Sequence, residues 1–100
     1  MKNIDVINAF LLGRHLQSGH LSSDGKKLYS YWTCIAQWNR DTFDEDCIII
    51  NRTRYSATTT HHRSALEREI ARKGYFVKYV NNVPKNEQQL NDGYTKYTDI

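Results

Sequence analysis

Residues 27–38, KLYSYWTCIAQW, constrain the chain most, because twelve residues dominated by Tyr, Trp, Thr and Ile contain neither Pro nor Gly. Aromatic and β-branched side chains suit a pleated, half-buried surface, so the run reads as a strand. Alternation puts Tyr29, Tyr31, Thr33 and Ile35 on one face and Leu28, Trp32, Cys34, Ala36 and Trp38 on the other. Both faces are largely apolar, so the strand is expected to be central, with Trp32 and Trp38 in the core.

The next segments build a layer around it. NRDTFDED is too polar for a core and joins the first strand to a second, CIIINRTRY, as an antiparallel hairpin. From Thr60 the pattern becomes helical: Leu66 and Ile70 are four apart with Ala65 beside them, Glu69 precedes Lys73 by four, and Gly74 can close the end. A helix over about His61 to Lys73 follows, and YFVKYV supplies a third strand. Ahead of these, Ile4, Ile7, Phe10 and Leu11 follow helical spacing, with Asn3 or Asp5 as cap and Gly13 or Gly19 as stop. SGHLSSDG reads as a polar loop. The expected fold is α+β: a small, mainly antiparallel three-stranded sheet with one or two helices packed on one face. Residues 1–80 form the single domain, and residues 81–100 a polar, partly ordered tail in which Leu90, Tyr94 and Tyr97 can dock.

A chain of 100 residues suits one core, and 39% hydrophobic residues with 12% aromatics are enough to fill it. The formal charge of +3 is mild beside dedicated nucleic-acid binders, whose domain pI exceeds about 9. Its distribution is more telling. Asp41, Asp44, Glu45 and Asp46 gather in one loop, whereas Arg52, Arg54, Arg63, Arg68, Arg72 and Lys73 outnumber Glu67 and Glu69 in the following segment. No segment approaches the roughly 20 apolar residues of a membrane span, and the start lacks a secretory pattern, so no membrane partner and a cytoplasmic location are expected. Cys34 and Cys47 belong to no CxxC and read as buried small hydrophobes.

Chemistry concentrates in NRTRYSATTTHHRSAL, residues 51–66. A helix start exposes backbone N–H groups, and Ser56, Thr58, Thr59 and Thr60 add hydroxyls there. Arg52, Arg54 and Arg63, with Tyr55 and His62, complete a candidate surface for an anion, a nucleic acid or a partner. The plainer reading is a helix cap, with one threonine capping and the histidines covering the first turn. Adjacent His61 and His62 point about 100° apart on a helix and make a poor ligand pair, so no metal and no cofactor are expected. No nucleophile elbow is present, which leaves a hydrolase using His62 with Ser56 as the weakest option and the chain as a non-enzyme. Tyrosines near arginines also fit a base-stacking platform, with Tyr29, Tyr31, Tyr55 and Tyr79 as the aromatics left outside the core.

In LYSYWTCIAQW and IIINRTRYSATTTHHRSAL the chain resembles a family of small uncharacterised proteins and domains from bacteriophages and related mobile elements. That family carries SYxTxIA and NxTxYSxTTxxHxxxL, matched here by Ser30, Tyr31, Thr33, Ile35 and Ala36, then by Asn51, Thr53, Tyr55, Ser56, Thr58, Thr59, His62 and Leu66. Phe10 to Gly13 match its F-L-x-G element, so the resemblance covers most of residues 4–73. Trp32 stands where glycine is usual, and His20 where asparagine is; the tryptophan would give this chain a contact of its own. The resemblance implies a phage context and stoichiometric binding to a host protein, such as a nuclease or defence complex, in an anti-CRISPR or anti-restriction role. Direct nucleic-acid binding is the alternative. A homodimer is compatible with the free edges of a small sheet.

Overall fold

The computed structural model describes residues 2–39, 47–81, 83, 84 and 90. The acidic loop residues Asp41, Asp44, Glu45 and Asp46, and the tail residues Tyr94 and Tyr97, lie outside them. The class is α+β, with two helices and a single six-stranded sheet among the described residues. Helix α1 is Asn3–Leu11. Strands β1 (His15–Ser18), β2 (Leu21–Asp24), β3 (Lys27–Ser30), β4 (Thr33–Asn39) and β5 (Cys47–Asn51) follow, then helix α2 (Ala57–Lys73) and strand β6 (Phe76–Val80).

The strands lie in chain order. The four pairings from β1 to β5 are antiparallel, and α2 returns the chain so that β6 lies parallel to β5. Six strands in place of three is the main correction to the sequence reading, and it has two causes. The segment read as a polar loop is the turn and second arm of a hairpin. Gly19 at φ 60° and Gly25 at φ 92° make its turns, and Leu21 is the one large apolar residue of β2. Gly25 has no substitute, since a Cβ there would lie 2.8 Å from the Gly13 carbonyl oxygen.

The second cause is that the twelve-residue aromatic run is two strands. β3 and β4 are closed by the Ser30–Thr33 pair, which leaves Tyr31 and Trp32 as the turn. Trp32 is therefore 72% exposed, not in the core. A β-bulge also shifts the register: Leu28 faces Ala36 while Tyr29 faces Cys34, so Ile35 is the extra residue. The bulge moves Cys34 to the opposite face from Ala36 and Trp38, breaking the alternation expected from sequence.

Both helices cover one sheet face. Val6, Ile7 and Phe10 of α1 and Leu66 and Ile70 of α2 meet Leu21, Leu28, Ala36, Trp38, Ile48 and Ile50. Each fully buried Leu or Ile contributes about 1.5–3 kcal/mol of transfer free energy. The Trp38 indole N–H donates to the Phe10 carbonyl at 2.9 Å, satisfying an acceptor near the end of α1. The other face carries a smaller cluster of Cys34, Ile49 and Val80, closed by Val83 and Leu90. Leu90 is thus docked, its N–H donating to Gln37 Oε1 at 2.9 Å.

Cys34 and Cys47 are both buried. Cys47 pairs with Asn39 at one end of the β4–β5 hairpin, whereas Cys34 lies at the other, next to the bulge. Burial pushes the Cys34 thiol up to about 12.

Candidate functional site

Tyr31 adopts φ 57°, the only positive value among the described non-glycine residues, and so occupies the left-handed region that a tight hairpin turn requires. Its N–H donates to the His20 carbonyl at 2.7 Å, and its ring stacks on the His20 imidazole with centroids 4.2 Å apart and planes 15° from parallel. These contacts with the β1–β2 turn offset the backbone strain and fix the position of the β3–β4 tip. Trp32 projects from that tip.

The tip sits against the start of α2. Ser56, in extended conformation, is the N-cap, and its Oγ accepts from the Thr59 N–H at 3.2 Å. The cap is therefore Ser56, two to four residues ahead of the threonines expected to fill that role; α2 begins at Ala57 and not near His61, and Thr58, Thr59 and Thr60 lie in its opening residues. A chain of hydroxyls runs inward from it. Ser56 Oγ donates to Thr59 Oγ1 at 3.1 Å, Thr59 Oγ1 lies 3.0 Å from Ser30 Oγ, and Ser30 Oγ lies 2.8 Å from His62 Nδ1. With the Thr59 amide fixing the direction at one end, a neutral His62 lets every hydroxyl donate once: Thr59 to Ser30, and Ser30 to Nδ1. Burial, aided by repulsion from His20 and His61, lowers the His62 pKa and favours that neutral state. The histidine is thus paired with Ser30, which sequence reasoning did not single out, and not with Ser56.

The rest of the strand-to-helix passage is architectural. Asn51 Nδ2 donates to the Cys34 carbonyl at 3.2 Å and to Tyr55 Oη at 3.0 Å, while Asn51 Oδ1 accepts from the Thr53 N–H at 2.9 Å. Tyr55 Oη donates to the Val83 carbonyl at 2.6 Å, and the Val83 N–H donates back to Thr53 Oγ1 at 2.9 Å. Asn51, Thr53 and Tyr55 therefore strap residue 83 to the sheet.

Two of the three arginines are engaged in contacts within the protein. The Arg52 guanidinium lies 4.9 Å from the centre of the Tyr79 ring, and the Arg52 backbone N–H donates to the Val80 carbonyl at 2.8 Å. Arg63 donates from Nη1 to the Arg52 carbonyl at 3.2 Å and faces Glu67 at 3.2 Å. Arg54 is exposed beside the helix start. β5 ends at Asn51, so Arg52 and Arg54 lie in the connection to α2 and not on the strand expected to carry them.

Between tip and helix lies a cleft of about 440 Å³. Tyr31, Trp32 and Tyr55 give it aromatic walls, and Ser30, Thr33, Ser56, Thr58 and Thr59 give it hydroxyls. Two neighbouring hollows share those walls. One of about 400 Å³ shares Tyr31 and Trp32 and adds His20; the other, about 350 Å³, shares Tyr55 and Ser56 and adds Arg54, Thr60 and His61. Among the described residues, no three His, Cys, Asp or Glu side chains are grouped to hold a metal ion, and no helix is long and apolar enough to cross a membrane.

No family model, curated protein or solved structure matches the chain. The functional reading therefore rests on the site itself. Of the residues singled out from sequence, Arg54, Tyr55, Ser56, Thr58, Thr59 and Thr60 line these hollows, whereas Arg52 and Arg63 serve packing and His62 lies beneath. Tyr31 was expected among the exposed aromatics and Trp32 as a contact of its own, though placed in the core, whereas Ser30, Thr33 and His20 were not expected at the site. The available signal was length: twelve unbroken residues are about twice a mean strand, so a turn inside the run was due.

Proposed function

We propose that this chain is a small non-enzymatic binding protein of the phage or mobile-element type that regulates or inhibits host nucleic-acid machinery, with an anti-CRISPR or anti-restriction role as the concrete form. The observation that carries binding is Trp32. A tryptophan 72% exposed at a rigid hairpin tip, beside a half-open cleft, is a contact residue in want of a partner, and Trp and Tyr dominate the energetics of protein contact surfaces. The buried hydroxyl chain argues in the same direction. Ser30 is 1% exposed, so its hydrogen bond to His62 orders the helix against the tip without offering a nucleophile to substrate.

The test is capture of partners from host lysate by tagged wild-type protein and by Trp32→Ala. A host nuclease or defence subunit retained by the first and lost by the second supports the reading. A partner retained equally by both contradicts the assignment of the surface.

Direct nucleic-acid binding is the second reading, and one observation favours it. None of the residues lining the three hollows is acidic, while His20, Arg54 and His61 flank the uncharged centre. An anionic strand meets no like charge there. Titration of single-stranded and duplex probes at several salt concentrations checks it; binding that weakens steeply with salt is the expected signature.

A further inference from the structure

The central cleft has a composition that selects a particular chemistry. All eight of its lining residues are uncharged, three are aromatic and the other five are Ser or Thr. A phosphate or carboxylate finds no counter-charge inside it. A flat, uncharged group with hydrogen-bonding edges finds aromatic faces to stack on and, at the exposed Thr58, a hydroxyl that rotates to donate or accept. The charge lies next door, where the hollow sharing Tyr55 and Ser56 adds Arg54 and His61. A neutral planar group joined to an anion is the chemistry of a nucleotide.

We infer that the cleft between Trp32 and the start of α2 is a seat for one unpaired base of a single-stranded nucleic acid, with Arg54 on the adjoining phosphate. This rests on the direct nucleic-acid reading and goes beyond it by fixing where the base and the charge lie. Trp32 and Tyr55 form the stacking walls. The exposed Thr58 hydroxyl meets the base edge, and because a hydroxyl serves either polarity, the seat takes any base and reads no sequence. The seat is built before the strand arrives: the Tyr31–His20 stack fixes the tip, and the Ser30–Thr59 hydrogen bond at 3.0 Å fixes the tip against the helix.

The two tryptophans make the test direct. Trp38 is buried and donates to the Phe10 carbonyl, so Trp32 alone is exposed to a stacking base. Oligo(dT) and oligo(U) of about twelve nucleotides, within the range one small domain covers, are titrated against the full chain alongside an abasic strand of equal length. Intrinsic fluorescence and anisotropy of the labelled strand are both recorded. The expected result is quenching by base-bearing strands and none by the abasic strand, with at least about tenfold weaker binding for Trp32→Ala and partial recovery in Trp32→Phe. Arg54→Ala weakens all strands and lowers the salt slope by about one. The DNA and RNA arms show which sugar the strand carries. If oligo(dT) or oligo(U) binds but the abasic strand binds equally well, or Trp32→Ala is without effect, the seat is overturned and nucleic-acid binding survives. If no strand binds even at low salt, both are overturned, and the surface is left to a protein partner.

Discussion

His62 Nδ1 and Ser30 Oγ lie 2.8 Å apart, joining a helix to a hairpin tip across 32 residues of sequence. Through this contact the position of the exposed Trp32 depends on a buried imidazole at the first turns of α2. Ser30→Ala leaves that nitrogen without its partner in a buried setting and is expected to cost about 1–3 kcal/mol, read from denaturant midpoints.

The same imidazole sets a pH dependence. Its folded-state pKa is depressed below the ordinary 6.5 by burial first, then by His20 and His61. The unfolded chain takes up the proton more readily, so the contribution to stability is intact above about pH 6.5 and lost as pH falls through the lower folded value. His62→Asn keeps an acceptor for Ser30 and does not titrate. Its stability should therefore decline less than wild type between about pH 7 and pH 5. Equal declines in the two proteins would contradict a depressed His62.

Ser56 caps α2, whereas Thr58 and Thr60 merely occupy its first turn. Ser56→Ala is expected to cost about 1 kcal/mol and Thr58→Ala a few tenths at most. Thermal melts of the two variants separate these values, and a larger loss from Thr58→Ala would place the cap elsewhere.

Tyr55 ties the end of the passage to Val83 by a 2.6 Å hydrogen bond. Removing that hydroxyl in Tyr55→Phe should cost about 0.5–1.5 kcal/mol. It should also raise amide hydrogen exchange at Val83 and Leu90 more than in the β1–β2 hairpin. Uniform exchange changes along the chain would mean that no strap exists.

The Cys34 thiol, pushed up to about 12 by burial, has almost no thiolate at neutral pH. Alkylating reagents should modify it only as the protein unfolds, so its labelling rate should rise with denaturant in step with loss of structure. Rapid labelling of Cys34 in native protein would contradict the buried register created by the bulge.

The α+β class, α2 with its Gly74 cap, and the β5 and β6 strands are legible in the sequence because long apolar periodicities specify them. The β1–β2 hairpin is not, since its strands are short and mostly polar and only Leu16 and Leu21 mark the face packed on the core. Trp32 misled for a different reason. Strand propensity is a property of side chains, and the turn at Tyr31–Trp32 is enforced by tertiary contacts to His20 that local sequence does not carry. Half of the candidate site was likewise visible: the α2 start announces its hydroxyls, but their partner Ser30 is reached only through the folded sheet.

The claim that the hairpin tip and the α2 start form the contact surface is tested most directly by mapping amide chemical shifts by NMR. The full chain is titrated with oligo(dT) and, in a separate sample, with any captured host partner. The account predicts that the largest perturbations cluster at Ser30 to Thr33 and at Arg54 to His61 and disappear in Trp32→Ala. Saturable binding with perturbations confined to the exposed edges at β1 or β6, and none at the tip, would contradict it.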